Sequence, residues 1–108
     1  MNVTYEIENE EKVKVMTCDN GSVYKYDVNG NEIHYKDNRG YEDWSEYDAN
    51  GNKIHSWNNV GYEQWREYDS NGNEIHFKDN CGYEKWNEYD INGNKIHSWD
   101  NRGFEYWY

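Results

Sequence analysis

The chain has little material for an ordinary hydrophobic core. Only 34% of its 108 residues are hydrophobic, and these are mostly aromatic, with 12 tyrosines and 6 tryptophans. Aliphatic residues are scarce, so we expect no thick aliphatic core. Tyrosine and tryptophan can bury their rings while keeping a polar edge in water. The composition therefore predicts broad aromatic faces on a sheet.

Proline, cysteine pairs and long hydrophobic runs are also missing. There is no proline, and the only cysteines are Cys18 and Cys81. Cys81 occupies a variable turn position, so we predict no disulfide framework. A single disulfide between Cys18 and Cys81 is the alternative. No apolar stretch approaches the roughly 18 residues that a spanning helix needs. Residues 1–4 lack the charged and then apolar pattern of a signal peptide. We expect a cytoplasmic protein without a membrane segment.

Basic residues are outnumbered two to one. The chain has 22 acidic and 11 basic residues, which gives a net charge of −11. Direct binding of nucleic acid is disfavoured because a phosphate backbone requires neutralising cations, and an acidic membrane is disfavoured for the same reason. The charge favours a basic partner protein through complementary potentials. The alternative is that it only keeps an aromatic-rich sheet soluble.

Four near-copies of one 21-residue unit fill the chain from Tyr26 onward. Each reads Tyr-Asp-x-Asn-Gly-Asn-x-Ile-His-x-x-x-Asn-x-Gly-(Tyr/Phe)-Glu-x-Trp. A fixed period of this length is typical of repeat proteins, in which each unit stacks on its neighbours. We therefore expect an elongated array. The predicted units cover residues 26–46, 47–67, 68–88 and 89–108, and residues 1–25 form an N-terminal cap.

Two turn signals divide each unit into two strands. Asn-Gly and Asn-x-Gly favour tight turns, and the runs between them have strand lengths and are rich in Tyr, Trp and Ile. Residues 3–7 and 13–17 alternate in the same way. The sequence predicts an all-β fold: a single-layer, twisted antiparallel β-meander of tandem 21-residue hairpin repeats, with about ten or eleven strands.

A second period of 42 residues overlies the first. Units one and three carry Glu-Ile-His-(Tyr/Phe)-Lys, whereas units two and four carry Lys-Ile-His-Ser-Trp. The large aromatic residue therefore moves by one position in alternate units. Because neighbouring strand residues point to opposite faces, we expect the two faces of the sheet to be thickened alternately.

The strand register after the Asn-Gly turn has two solutions. A loop of four residues places Tyr47 opposite Ile54 and Glu46 opposite His55. A loop of three residues places Ile54 beside Trp44 instead. A slip of one residue exchanges the faces. We favour the four-residue loop because it pairs an acid with a base.

Strand alternation places the repeated glutamates and tryptophans on one face. Regularly spaced carboxylates can imitate a phosphate backbone, and aromatic anchors with complementary charge are typical of protein interfaces. A merely solvated face is the alternative. The candidate partner-binding residues are Glu42, Trp44, Glu46, Glu63, Trp65, Glu67, Glu84, Trp86 and Glu88.

The same repetition argues against catalysis and metal binding. Acid–base catalysis by two carboxylates requires different environments, and the repeated glutamates are equivalent. Equivalent histidines two strands apart lie roughly 10 Å from each other, too far to share one ion. Ion pairs between histidine and glutamate across strands are simpler. We predict no catalytic residues, no metal and no cofactor. The histidines are His34, His55, His76 and His97.

The units resemble the YD repeats of RHS-type bacterial proteins, and they are similar in style to MORN-type hairpin repeats. The resemblance covers residues 26–108 and depends on the four Tyr-Asp pairs with their spaced glycines. It implies a strand array and a source in bacteria or their phages. RHS arrays form shells around a toxin, and four units cannot enclose anything, so no toxin-delivery role is implied.

These features together resemble those of small acidic inhibitors. We expect a non-catalytic protein that covers a basic, nucleic-acid-binding surface of a bacterial nuclease, CRISPR effector or toxin, as phage anti-CRISPR and toxin-immunity proteins do. The alternative is a carbohydrate-binding or structural module that uses the aromatic ladder. The aromatic strand at residues 104–108 exposes an edge that invites pairing, so a homodimer through this edge is also expected.

Overall fold

A computed structural model describes all 108 residues and shows one open antiparallel sheet of eleven strands. Strand order in the sheet equals chain order, which confirms the meander. The longest extent, 49 Å, matches eleven strands at a spacing of about 4.8 Å. No helix is present, and hence none that is long and apolar enough to cross a membrane. The strands are β1 (Asn2–Glu8), β2 (Glu11–Thr17), β3 (Val23–Tyr26), β4 (Glu32–Lys36), β5 (Glu42–Tyr47), β6 (Lys53–Asn58), β7 (Glu63–Tyr68), β8 (Glu74–Asp79), β9 (Glu84–Tyr89), β10 (Lys95–Asp100) and β11 (Glu105–Trp107).

The sheet has no second layer, and few of its residues are buried. Seven of the 108 residues are buried, and Val13 and Val15 are the only hydrophobic ones among them. No large side chain is completely enclosed. Since nothing packs against either face, contacts between side chains on neighbouring strands must supply most of the stabilisation.

The Asp-x-Asn-Gly-Asn segment closes one hairpin in each unit, as its turn residues predict. In the loop between β5 and β6, the Asp48 carboxylate accepts hydrogen bonds from the backbone N–H groups of Asn50 and Asn52, each at 2.9 Å. Gly51 has a φ of 83°, in the left-handed region that favours glycine. The hydrogen bond from the Asn52 backbone is the main cause that lowers the pKa of Asp48.

The second turn of each unit carries an asparagine that ties successive units together. Asn80 donates from Nδ2 to the carbonyl oxygen of Gly61 at 2.6 Å, and its Oδ1 accepts from the backbone N–H of Glu63 at 3.0 Å. Asn59 and Asn101 make the same two bonds one unit away. The sequence predicted a turn here but not this asparagine row, because the bonded groups are 17 to 19 residues apart.

In the last three units, the tyrosine of the Tyr-Asp pair links neighbouring hairpins at the other ends of the strands. The Tyr68 hydroxyl donates to the carbonyl oxygen of Lys53 at 2.9 Å. Tyr47 and Tyr89 make the equivalent bonds to the preceding hairpins. Burial raises the pKa of the Tyr68 phenol, in keeping with its role as a neutral donor. The Tyr-Asp pair therefore combines a link between hairpins with a loop-closing carboxylate.

The register between β5 and β6 agrees with the favoured prediction at one pair and differs from it at the next, because a bulge lies between them. Glu46 lies opposite His55, as predicted, but Tyr47 lies opposite Lys53 and not Ile54. The predicted Tyr47–Ile54 pair is therefore wrong. Five residues, 48–52, separate the paired ends, and Ile54 is the extra residue of a β-bulge. A bulge inserts one residue into one strand, which allows a longer loop to coexist with the Glu46–His55 pair.

The N-terminal segment belongs to the same sheet. The predicted strands at residues 3–7 and 13–17 are confirmed as β1 and β2, and β2 pairs with β3. The intervening turn uses Asn9 and Glu10, whose φ angles are 52° and 68°. Cys18 lies in the turn that follows β2, and both cysteines of the chain are free.

The N-terminal strands contain the small hydrophobic cluster of the sheet. Val13 lies opposite Glu6, and Val15 lies opposite Lys25, so these four side chains share one face. The Lys25 ammonium reaches back over β2 to Glu6 at 3.2 Å and to Glu8 at 3.0 Å. An ion-paired lysine thus spans the strand on which the two valines lie.

We predict that Asn80→Ala lowers the free energy of unfolding by about 1–2 kcal/mol, because two hydrogen bonds to the neighbouring unit are lost. The matched control is Asn71→Ala, since the Asn71 side chain makes no hydrogen bond in its loop, although its backbone bonds to Asp69. Urea denaturation measures both. Equal effects of the two substitutions would contradict a stabilising asparagine row.

Candidate functional site

One face of the sheet, from β4 to β11, carries every histidine and tryptophan of the repeats; we call it the ladder face. The pairs Glu46–His55, His55–Trp65 and Trp44–Trp57 place these residue types side by side. The Glu–His and His–Trp pairs recur every two strands through β11, and the Trp–Trp pair recurs four strands later as Trp86–Trp99. All nine candidate residues lie on this face: Glu42, Trp44, Glu46, Glu63, Trp65, Glu67, Glu84, Trp86 and Glu88.

Each histidine from the second unit onward bridges two glutamates on different strands. His55 Nδ1 lies 2.6 Å from Glu46 of the preceding strand, and its Nε2 hydrogen-bonds to Glu63 of the following strand. His76 and His97 repeat this arrangement. The sequence predicted the first contact but not the second. His55 and Glu63 lie on the two strands that the Asn-x-Gly turn connects. Only the register of these strands places the Glu63 carboxylate beside Nε2 of His55.

The first histidine of the row departs from this pattern. His34 contacts Glu42 through Nε2 at 2.7 Å. On its other side, the residue opposite His34 is Lys25, where later units have a glutamate. Lys25 is itself paired with the β1 carboxylates. The histidine–glutamate pattern therefore begins at β4, where the repeats join the N-terminal strands.

The two carboxylates shift the protonation of the bridging histidines. Burial alone lowers the pKa of His55, but hydrogen bonds with Glu46 and Glu63 and their charges outweigh it. The net pKa lies above the ordinary value of 6.5. His76 and His97 are raised by the same causes. Each histidine then carries more positive charge near neutral pH than an isolated one.

The aromatic rings form two stacks of five, which confirms that the large aromatic residue changes face in alternate units. The first contains His34, Trp44, Trp57, His55 and Trp65, with neighbouring centroids 4.5 to 6.0 Å apart. The second contains His76, Trp86, Trp99, His97 and Trp107, with centroids 3.5 to 5.9 Å apart.

Lys78 interrupts the row between the two stacks. It lies opposite Trp65, at the position where units two and four have a tryptophan. The aromatic residue of that unit, Phe77, is on the opposite face, 6.0 Å from Tyr83. Tyr35 has the same role in unit one, where it lies 6.3 Å from Tyr41. The 42-residue period is therefore visible as two equal stacks.

The stacks determine which parts of the rings a ligand can reach. Inside a stack each ring has a neighbouring ring on either side, which restricts the access of a ligand to the ring faces. Trp65 is 36% exposed and Trp107, on the last strand, is 72% exposed. Phe104, Tyr106 and Tyr108 are also exposed along the β11 edge. The homodimer expected through this edge stays a prediction.

The ladder face offers carboxylates and rings but no assembled metal centre. No group of three or more His, Cys, Asp or Glu side chains is arranged to hold a metal ion. Both ring nitrogens of His55, His76 and His97 already contact carboxylates. The face is suited to ionic and aromatic-edge contacts with another surface.

Comparison with protein-family models and with curated proteins finds no match for this chain. The resemblance to YD and MORN-type repeats therefore stays a prediction.

We predict that the free energy of unfolding falls as pH rises from about 6 to about 8. A group whose pKa is raised on folding stabilises the fold below its unfolded pKa, here 6.5, and this contribution is lost as pH rises through the folded pKa. Urea denaturation at constant ionic strength between about pH 5.5 and 8.5 measures the slope.

The double variant His55→Gln/His76→Gln is the control for this pH dependence. It removes two titrating groups while keeping polar side chains of similar size, so the slope should become clearly smaller. The acidic limb should remain, since Asp48, Asp69 and Asp90 have lowered pKa values and lose their stabilising contribution only as pH falls through those values. An unchanged slope above pH 6 would contradict the bridging role.

Proposed function

We propose that the chain is a non-catalytic protein-binding module whose ladder face covers a basic surface of a partner protein. The observation that carries this proposal is the pairing of each bridging histidine with two glutamates. One histidine cannot neutralise two carboxylates, so every such group keeps a net negative charge even when the ring is protonated. Repeated along the sheet, these groups form an extended acidic surface.

The glutamates retain hydrogen-bonding capacity for a partner. Each uses one carboxylate oxygen for its histidine, as Glu46 does through Oε1 and Glu63 through Oε2. The second oxygen can accept from an arginine or lysine. The side chains of Glu46 and Glu67 are 58% and 68% exposed. The histidine contacts also orient these carboxylates, which reduces the entropy lost on binding.

The aromatic rings supply apolar contact between the acidic rows. Tryptophan is enriched among the residues that dominate protein-binding energies. The stacks favour a protein partner over a carbohydrate, since sugar stacking requires open ring faces and the interior faces here are occupied by neighbouring rings. The carbohydrate-binding alternative retains only the end rings, such as Trp107.

The finer proposal concerns the identity of the partner. Equivalent glutamates lie two strands apart, which is roughly 10 Å, in straight rows that can imitate a line of phosphates. A basic, nucleic-acid-binding surface of a bacterial nuclease, CRISPR effector or toxin is the matching partner. In this proposal the chain acts in the cytoplasm as an inhibitor, of the phage anti-defence or toxin-immunity type. The YD-like and MORN-like repeats support a bacterial or phage source.

We predict that Glu46→Gln/Glu67→Gln reduces capture of a basic protein from bacterial lysate by about tenfold, since each exposed charge contributes up to about 1 kcal/mol. Glutamine keeps an acceptor for the histidine while removing the charge. The matched control is Glu10→Gln/Glu11→Gln, which removes equal charge from the exposed end of the β1–β2 hairpin. Quantitative mass spectrometry of the captured proteins compares the wild type with both variants.

The proposal requires a specific result in that experiment. One basic protein should be retained by the wild type and the control, lost by the ladder-face variant and weakened at about 0.5 M salt, where the screening length is a few ångströms. Adding the chain should also inhibit nucleic-acid binding by the captured protein. Equal capture by all three proteins would contradict the ladder face as the interface. Binding to a glycan array instead would support the carbohydrate alternative.

A further inference from the structure

A pocket of about 480 Å³ lies at the N-terminal end of the sheet, on the face opposite the ladder face. Its floor is a row of directly paired residues, with Tyr5 opposite Lys14 and Lys14 opposite Tyr26. Met16 and the loop that follows β3 complete the lining. The volume is within the range of small-molecule sites, about 300–1,000 Å³.

The pocket concentrates positive charge in a strongly acidic chain. Lys12 and Lys14 both line it, and neither forms an ion pair, in contrast to Lys25 on the other face. Their ammonium groups lie near aromatic rings instead: Lys12 Nζ is 4.5 Å from the centroid of Tyr5, and Lys14 Nζ is 6.0 Å from that of Tyr26. An approaching anion can pair with these cations without breaking an existing ion pair.

The one carboxylate in the lining is occupied locally. Asp27 accepts from the backbone N–H groups of Asn29 and Asn31 through Oδ1 and from the Asn31 amide through Oδ2. These hydrogen bonds hold the carboxylate within its own turn. The lining therefore contains two lysines and one acidic residue, and positive charge is in excess there.

The rest of the lining is apolar or aromatic. Tyr5, Tyr26, Met16 and Val28 are the hydrophobic residues of the pocket, and Val28 is 71% exposed at its rim. Aromatic rings and a thioether pack well against a flat ring. The same pocket thus offers a cationic part and a ring-binding part within the reach of one small molecule.

We propose that this pocket binds a small planar aromatic acid. The ring packs against Tyr5, Tyr26 and Met16, and the carboxylate contacts the ammonium groups of Lys12 and Lys14. Charge-assisted contacts of this kind are stronger than neutral ones. The site uses none of the ladder-face residues, so its test is independent of the proposed protein interface.

Three probes separate the ring from the charge. Indole-3-acetate carries both a planar ring and a carboxylate, tryptamine carries the same ring with a cation, and acetate carries the anion alone. Titrations of the ¹⁵N-labelled chain are followed by amide chemical shifts. Indole-3-acetate should shift amides of residues 12–16 and 26–30 with saturation at millimolar concentration or below, and the other two probes should leave these amides unchanged.

Matched variants test the assignment of the site. Lys12→Gln/Lys14→Gln should weaken indole-3-acetate binding at least tenfold, whereas Lys85→Gln/Lys95→Gln removes equal charge elsewhere and should leave it unchanged. Val28→Glu adds a carboxylate at an exposed rim position, where other units have Ala49, Ser70 or Ile91, and should also weaken binding. Tryptamine binding as tightly as indole-3-acetate, shifts outside the pocket, or full binding by the lysine variant would overturn the proposal.

Discussion

Contact between directly opposed side chains on neighbouring strands is the interaction on which this structure depends. A sheet of eleven strands normally buries one face against another layer, but here only two hydrophobic residues are buried. The backbone ladder alone does not distinguish one register from another. Histidine bridges, ring stacks, the asparagine row and the tyrosine hydroxyl bonds each join one strand to the next. Because these contacts recur along the repeats, the ring stacks with the 42-residue period and the others with the 21-residue unit, the part of the sheet from β4 to β11 is stabilised locally.

The sequence predicts the architecture well because its turn signals are strong and periodic. The Asn-Gly and Asn-x-Gly turns place the strands correctly, and the one-residue shift of the aromatic position correctly predicts the change of face. The bulge at Ile54 could not be predicted, because a five-residue loop with a bulge and a four-residue loop without one both pair Glu46 with His55. The second glutamate contact of His55 and the bonds of Asn80 also required the three-dimensional register.

The same contacts that stabilise the sheet determine which aromatic surfaces and carboxylate oxygens of the candidate site remain available to a partner. Stacking occupies the ring faces, so aromatic edges remain for a partner. Each histidine bridge occupies one oxygen of a glutamate, and the other oxygen remains free. Stability and surface charge are therefore coupled through the histidines: protonation strengthens the bridges while making the ladder face less acidic. The residues of the candidate site were predicted from the sequence, but this coupling was not, since it depends on two carboxylates meeting one ring.

A double-mutant cycle on Trp86 and Trp99 measures how strongly opposed side chains hold neighbouring strands together. These rings face each other across β9 and β10 with centroids 5.9 Å apart and planes 11° apart. Urea denaturation of Trp86→Ala, Trp99→Ala and the double variant yields their coupling free energy. If cross-strand side-chain contacts hold the sheet together, the coupling should be about 0.5–1.5 kcal/mol. Additive effects, with no coupling beyond experimental error, would mean that contacts between opposed side chains do not hold the strands together.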